Sequence, residues 1–215
     1  MTSKIEKKFG DLLGQLTPLL REEGFAQHDA TFARLAGEMR HFVDFQRSRR
    51  DNEDEIKFTI NIGVLSNRLH DFLWSETPAE PTVWHCHINR RIGFLLPQKE
   101  DRWWTMSRNT SHALLSAEIA EMLRAAVLPF LRQFAGDDDL RRHLRSLLKG
   151  GNATYEEAVN LCALEAMRGQ DAEFIDSLNG LKKVGYATGL QGGDISQKLA
   201  IMLKLRESRA NRFQR

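Results

Sequence analysis

The sequence predicts an α+β fold: an antiparallel sheet of about four strands flanked by an N-terminal and a long central helix, followed by a helical C-terminal tail. Two changes of hydrophobic period carry this reading. Apolar residues recur at helical spacing up to Gly24, alternate with polar ones from 25 to about 106, and then return to helical spacing. Glycines at 136, 150, 151, 169, 192 and 193 divide the last third into short helices. The organisation expected is an α+β domain over 1–136 and a helical extension over 137–215 that packs on it or forms its own bundle.

The first helix is read over 3–23, where Ile5, Phe9, Leu12, Leu13, Leu16, Leu19 and Leu20 form one stripe. Ser3 and Glu6 have capping-box spacing. Pro18 kinks this helix or begins a second one with Thr17 as cap. Gly24 ends it, because glycine takes the left-handed conformation without penalty. In HFVDFQ, Val43 and Phe45 share one face of a strand while Phe42, Asp44, Gln46 and Ser48 share the other. EIKFTINIGV sets Ile56, Phe58, Ile60, Ile62 and Val64 against Lys57, Thr59, Asn61 and Gly63. The polar run RSRRDNEDE links these two strands as a hairpin loop. A short helix follows near Asn67–Leu73, and Pro78 and Pro81 mark a loop. WHCHINRRIGFLL over 84–96 reads as a third strand, with Cys86, Ile88, Ile92 and Phe94 apolar and His85, His87, Asn89 and Arg91 opposite. RWWTM over 102–106 is the fourth. A long helix spans 111–134, bent at Pro129, and shorter helices occupy 137–149, 154–168, 171–184 and 194–209.

Composition narrows the setting. With 41% hydrophobic and 28% charged residues and a formal charge of +2, the chain reads as globular, with no demand for an anionic partner. The N-terminus interleaves charge with apolar residues, so it lacks the core of a signal peptide. No run of roughly 18 apolar residues predicts a membrane span. Two cysteines, Cys86 and Cys162, do not make a disulfide framework, and the expected setting is cytoplasmic.

Three segments together resemble a known family, the domain of unknown function 4304. They are FVDFQRSRR from Phe42, IKFTINIGV from Ile56, and CHINRRIGFLLP with DRWWTM; the opening helix ending in LLREEGF is similar to the family's start. The similarity covers roughly residues 5–135. It implies an α+β fold of bacterial proteins and no assigned activity.

The polar face of the sheet is the best candidate surface. Gln46, Ser48, Thr59, Asn61, His87 and Arg91 are the candidate ligand-binding residues, because short amides and hydroxyls with one arginine read a ligand by hydrogen bonds. The competing reading is a solvated face or one covered by tail helices. His85 and His87, two apart on a strand, share a face and could hold a metal with Asp44, His41 or His112, but spacing selects none of these, and neither metal nor cofactor is expected. Arg90 and Arg91 go to opposite faces, and the inward one needs a partner such as Asp44 or Glu55. Of Trp103 and Trp104, one belongs in the core and the other is free to be a stacking platform. The catalytic motifs GxSxG, HExxH, P-loop and GxGxxG are absent from the sequence. The favoured function is a non-enzymatic binding or protein-interaction module that holds a protein or small polar ligand on this face. The alternatives are a hydrolase-type enzyme centred on His85, His87 and Arg91, and a weak nucleic-acid binder using the basic tail. That tail carries six Lys or Arg and one Glu from Lys198 onward.

Overall fold

A computed structural model describes residues 4–49, 54–74, 77–169, 171–190 and 192–212. Ser3 and residues 50–53 of the hairpin loop expected between the two long strands lie outside them. The chain divides into two compact units, one made of 1–65 with 80–135 and the other of 66–79 with 136–215.

In the first unit, helix α1 (Lys4–Glu22) buries Ile5, Phe9, Leu12, Leu13, Leu16 and Leu20. It runs on through Pro18 and does not restart at Thr17; the Thr17 hydroxyl donates to Leu13 O at 2.8 Å. Gly24, at φ +83°, turns the chain so that its N–H closes on Arg21 O at 2.9 Å.

Six strands follow: β1 (Ala26–His28), β2 (Thr31–Ala36), β3 (Met39–Arg47), β4 (Glu55–Ser66), β5 (Ile88–Arg91) and β6 (Trp104–Ser107). They form one sheet in the order β1-β2-β3-β4-β5, with β6 also paired to β4. Strands β5 and β6 therefore lie end to end along one edge of β4, pairing with 61–64 and 55–58 respectively. The sheet has more strands than the four expected. β1 and β2 escape notice because β1 is exposed throughout and β2 buries only Phe32.

Alternation places Phe32, Val43, Phe45, Phe58, Ile60 and Ile62 on one face, all fully buried. Helix α1 covers this face, with Phe9 edge-on to Phe58 at 5.3 Å and Trp104 stacked on Phe58 at 5.5 Å. Each such ring contributes about 1.5–3 kcal/mol by burial, which locks the register, since a one-residue slip would expose all of them. The segment expected as a third strand, 84–96, is strand only over β5. Val83–His85 and Ile92–Leu95 are 3₁₀ turns on either side. The second turn forms because the 100–102 backbone crosses close to Gly93: a Cβ there would stand 1.9 Å from Glu100 O.

The central helix is α3 (His112–Met122), a π-helical turn over Leu123–Val127, and α4 (Leu128–Leu131). The expected perturbation at Pro129 takes the form of this wide turn, because proline has no N–H for the carbonyl four residues back. Helix α3 packs on α1, and the Ser116 hydroxyl donates to Gln15 Oε1 at 2.5 Å.

The second unit is helical: α2 (Asn67–Trp74), α5 (Asp137–Lys149), α6 (Tyr155–Arg168), α7 (Asp171–Ala187) and α8 (Gly192–Arg212). Helix α6 is its axis, buried over 157–166 and packed on α2, α5, α7 and α8. Thr154 and Glu157 cap it reciprocally, at 3.2 and 2.8 Å. Among the described residues, no helix is long and apolar enough to cross a membrane.

Candidate functional site

The face of the sheet opposite α1 is divided in two. At one end Phe42 and Leu65 are buried beneath Val83, with Ala33 and Cys86 packed beside them. Gly63 permits this, because a Cβ there would stand 2.5 Å from Cys86 Sγ. Burial, and then the nearby Asp44 charge, push the Cys86 thiol well above its ordinary pKa, so it stays protonated and unreactive.

The other end is polar. Thr31 pairs with Asp44, and Asn61 with Arg91. Asn61 Nδ2 donates to Asp44 Oδ2 at 3.1 Å, which completes a transverse row Thr31–Asp44–Asn61–Arg91. The Thr31 hydroxyl donates to Asp44 Oδ1 at 2.7 Å. Asn61 Nδ2 also donates to Gln46 Oε1 at 2.9 Å. Asn61 is 2% exposed, so this clamp sits in the floor of the face. With its oxygen held, the Gln46 amide presents both N–H groups away from Asn61.

Thr59 is 0% exposed, and its hydroxyl donates to Arg102 O at 2.7 Å. It anchors the loop that fills the gap between β5 and β6 and holds no surface position of its own. Ser48 lies just past β3, half-buried, its N–H donating to Lys57 O at 2.7 Å. Arg91 stacks on the Trp103 ring, 5.0 Å from guanidinium carbon to centroid, and Lys57 approaches the same ring at 5.5 Å. Asp101 accepts from both Arg91 and the Trp103 indole N–H, the latter at 3.0 Å. Arg91, on the polar face, thus pairs with Asp101, while Arg90 is the inward member of the pair, opposite Ile62, and donates to Asn89 O at 3.1 Å. Beside Trp103 a cleft of about 340 Å³ opens, lined by Gly93, Leu96, Gln98, Glu100, Asp101 and Arg102.

The histidines fall elsewhere. His85 ends a 3₁₀ turn, where its Nδ1 accepts from Thr82 N–H at 3.0 Å. His87 is buried in the stretch between that turn and β5, with its N–H on Val64 O at 2.9 Å. The two do not share a strand, so alternation gives no ground for treating them as a pair. His41, entertained as a metal ligand, is buried on β3 opposite Arg34 of β2. Its Nε2 donates to Phe134 O at 2.8 Å, and Arg34 Nε donates to its Nδ1 at 3.3 Å. Burial above all, with the Arg34 charge adding, lowers its pKa to about 4 against the Phe134 hydrogen bond. Among the described residues no three His, Cys, Asp or Glu side chains gather as a metal-holding group.

Trp104 is the core member of the tryptophan pair and Trp103 the half-buried one, its ring attended by two cations rather than left bare. Asp101, Lys57 and Thr31 belong to the site and were not singled out by sequence. Lys57 was reachable, since it shares the period of Thr59 and Asn61. Asp101 was not, because a loop side chain has no period.

The model of the family described as a domain of unknown function, DUF4304, matches residues 16–133, more than half of the 215-residue chain. This chain belongs to the DUF4304 family. The match takes in the strands and helices of the first unit from the last two turns of α1 to α4, including every residue of the polar row. No curated protein and no solved structure matches the chain.

Proposed function

We propose that this DUF4304 protein is a non-catalytic binding module that holds a protein or small polar ligand on the sheet face opposite α1. The observation that carries the reading is the Asn61 clamp. An ordinary wet face leaves its polar groups to water, whereas here a buried amide fixes Asp44 and Gln46 in place at 3.1 and 2.9 Å. Fixed donors lose less entropy when a ligand arrives. The accessible groups are Gln46 and Arg91, with Ser48 beside them. Thr59 and Asn61 support them from below. The proposal puts the protein in the bacterial cytoplasm, where its free thiols at Cys86 and Cys162 stay reduced. A hydrolase centred on His85 finds less support, because the His85 Nδ1 is already taken by Thr82. So does a nucleic-acid binder working through the basic tail, in which Arg206 is paired with Asp171.

Selection from a random displayed peptide library tests this. Peptides that bind the full chain are expected to compete with one another and to lose at least tenfold in affinity on Gln46→Ala/Arg91→Ala. Selected peptides that bind this double variant unchanged would place the binding surface elsewhere and end the proposal.

A further inference from the structure

We infer that this face is a carboxylate receptor and that Asp101 occupies it as the chain's own stand-in for a ligand; the inference rests on the binding-module reading above. Asp101 receives hydrogen bonds from two elements at once, Arg91 on β5 and the Trp103 indole N–H on the loop before β6. Two donors converging on one carboxylate oxygen describe how this corner holds a carboxylate. Among the described residues the Gln46 amide N–H groups meet no protein acceptor, and the guanidinium of Arg91 has more N–H groups than its bond to Asp101 uses. Gln46 stands two residues beyond Asp44 on β3, diagonally across Asn61 from Arg91 and about 12 Å from it by strand spacing and rise, a span that two long side chains can close. Lys57 over Trp103 adds a second positive charge.

The resident carboxylate is displaceable. The Arg91 and Asp101 side chains are 35% and 43% exposed, and pairs so open to water contribute little net stability. An incoming carboxylate replaces the Asp101 contact and gains the Gln46 amide, which Asp101 does not reach. Asp44 works against it. Its two oxygens are held by Thr31 and Asn61, but its charge remains and limits affinity.

The test uses the full chain, hexaglutamate peptide and free glutarate as probes, hexalysine as control, and the Trp103 indole N–H resonance as readout. Asp101→Asn is expected to bind a carboxylate probe tighter than wild type by up to about fivefold, the weight of one exposed pair. Arg91→Gln added to Asp101→Asn is expected to remove that binding, with the Trp104 indole resonance and the melting temperature unchanged. Binding of the peptide alone supports a protein partner, and binding of glutarate as well supports a small-molecule ligand of the same chemistry. Equal affinity in wild type and Asp101→Asn, or binding that survives Arg91→Gln, overturns the inference. If library peptides lose affinity on Gln46→Ala/Arg91→Ala yet carry no acidic residue, the carboxylate receptor falls while the binding module stands.

Discussion

His41, one of the buried histidines, gives this protein an acid limit. His41 is 0% exposed and holds Phe134 O through Nε2 while accepting from Arg34 at Nδ1, so both ring nitrogens are used in the neutral form. Protonation would set a cation beside Arg34 and destroy the acceptor at Nδ1; Glu23, which Arg34 and Arg132 also contact, is the nearby counter-charge. The folded pKa of about 4 lies below the ordinary 6.5. Between those values the unfolded chain binds a proton that the folded chain does not, so stability rises with pH across the window. The contribution is complete above pH 6.5, is lost progressively on acidification, and is gone below about 4. The gap corresponds to about 3 kcal/mol. Urea unfolding at pH 7 and pH 4.5 should show the wild type losing most of that amount, while His41→Gln, which donates like Nε2 and does not titrate, should lose much less. An equal loss in both proteins would remove His41 as the cause.

At the scale of elements, close backbone approach decides what periodicity cannot. Gly93 lets the 100–102 segment cross against the 3₁₀ turn after β5, and a Cβ would meet Glu100 O at 1.9 Å and Arg102 N at 2.8 Å. These are backbone atoms, so they do not step aside. Gly93→Ala is expected to cost at least about 2 kcal/mol and to release Trp103, read by melting temperature and by tryptophan fluorescence. Gly10, in the exposed interior of α1, has nothing within 4 Å of an added Cβ. Gly10→Ala is expected to gain about 1 kcal/mol in the same measurement. The contrast explains what was legible. β3 and β4 alternate cleanly in sequence because one face of each carries the ring-bearing core, so Gln46, Thr59 and Asn61 could be assigned to the other face from sequence. The 84–96 segment is apolar and polar in alternation too, yet it is a strand only over 88–91, since Thr82 caps one turn and Gly93 admits the other. His85 and His87 were placed together by extrapolating a period past the point where backbone crossings take over.

The whole chain is threaded through its two units rather than divided once. Residues 1–65 and 80–135 make the sheet unit, and the segment between them, 66–79, counts with 136–215. The DUF4304 match at 16–133 therefore includes α2, whose buried Leu69 and His70 belong to the helical bundle. Ser66 shows the consequence locally. Its hydroxyl donates to Asp137 Oδ1 at 2.5 Å and accepts from Leu69 N–H at 3.0 Å, so the start of α2 is tied to the start of α5. Arg68 adds an ion pair to Asp137 at 3.4 Å. A sequence boundary at 136 separates α2 from α6, on which it packs, and from the start of α5, to which it is tied. A chain truncated to 1–135 should keep the sheet, whose rings are buried by α1, but lose α2, which at eight residues is too short to persist alone. Hydrogen exchange should show β3 and β4 amides protected as in the full chain while 67–74 exchanges at the rate of unstructured peptide. Protection of 67–74 in the truncated chain would mean that α2 draws its stability from the sheet unit.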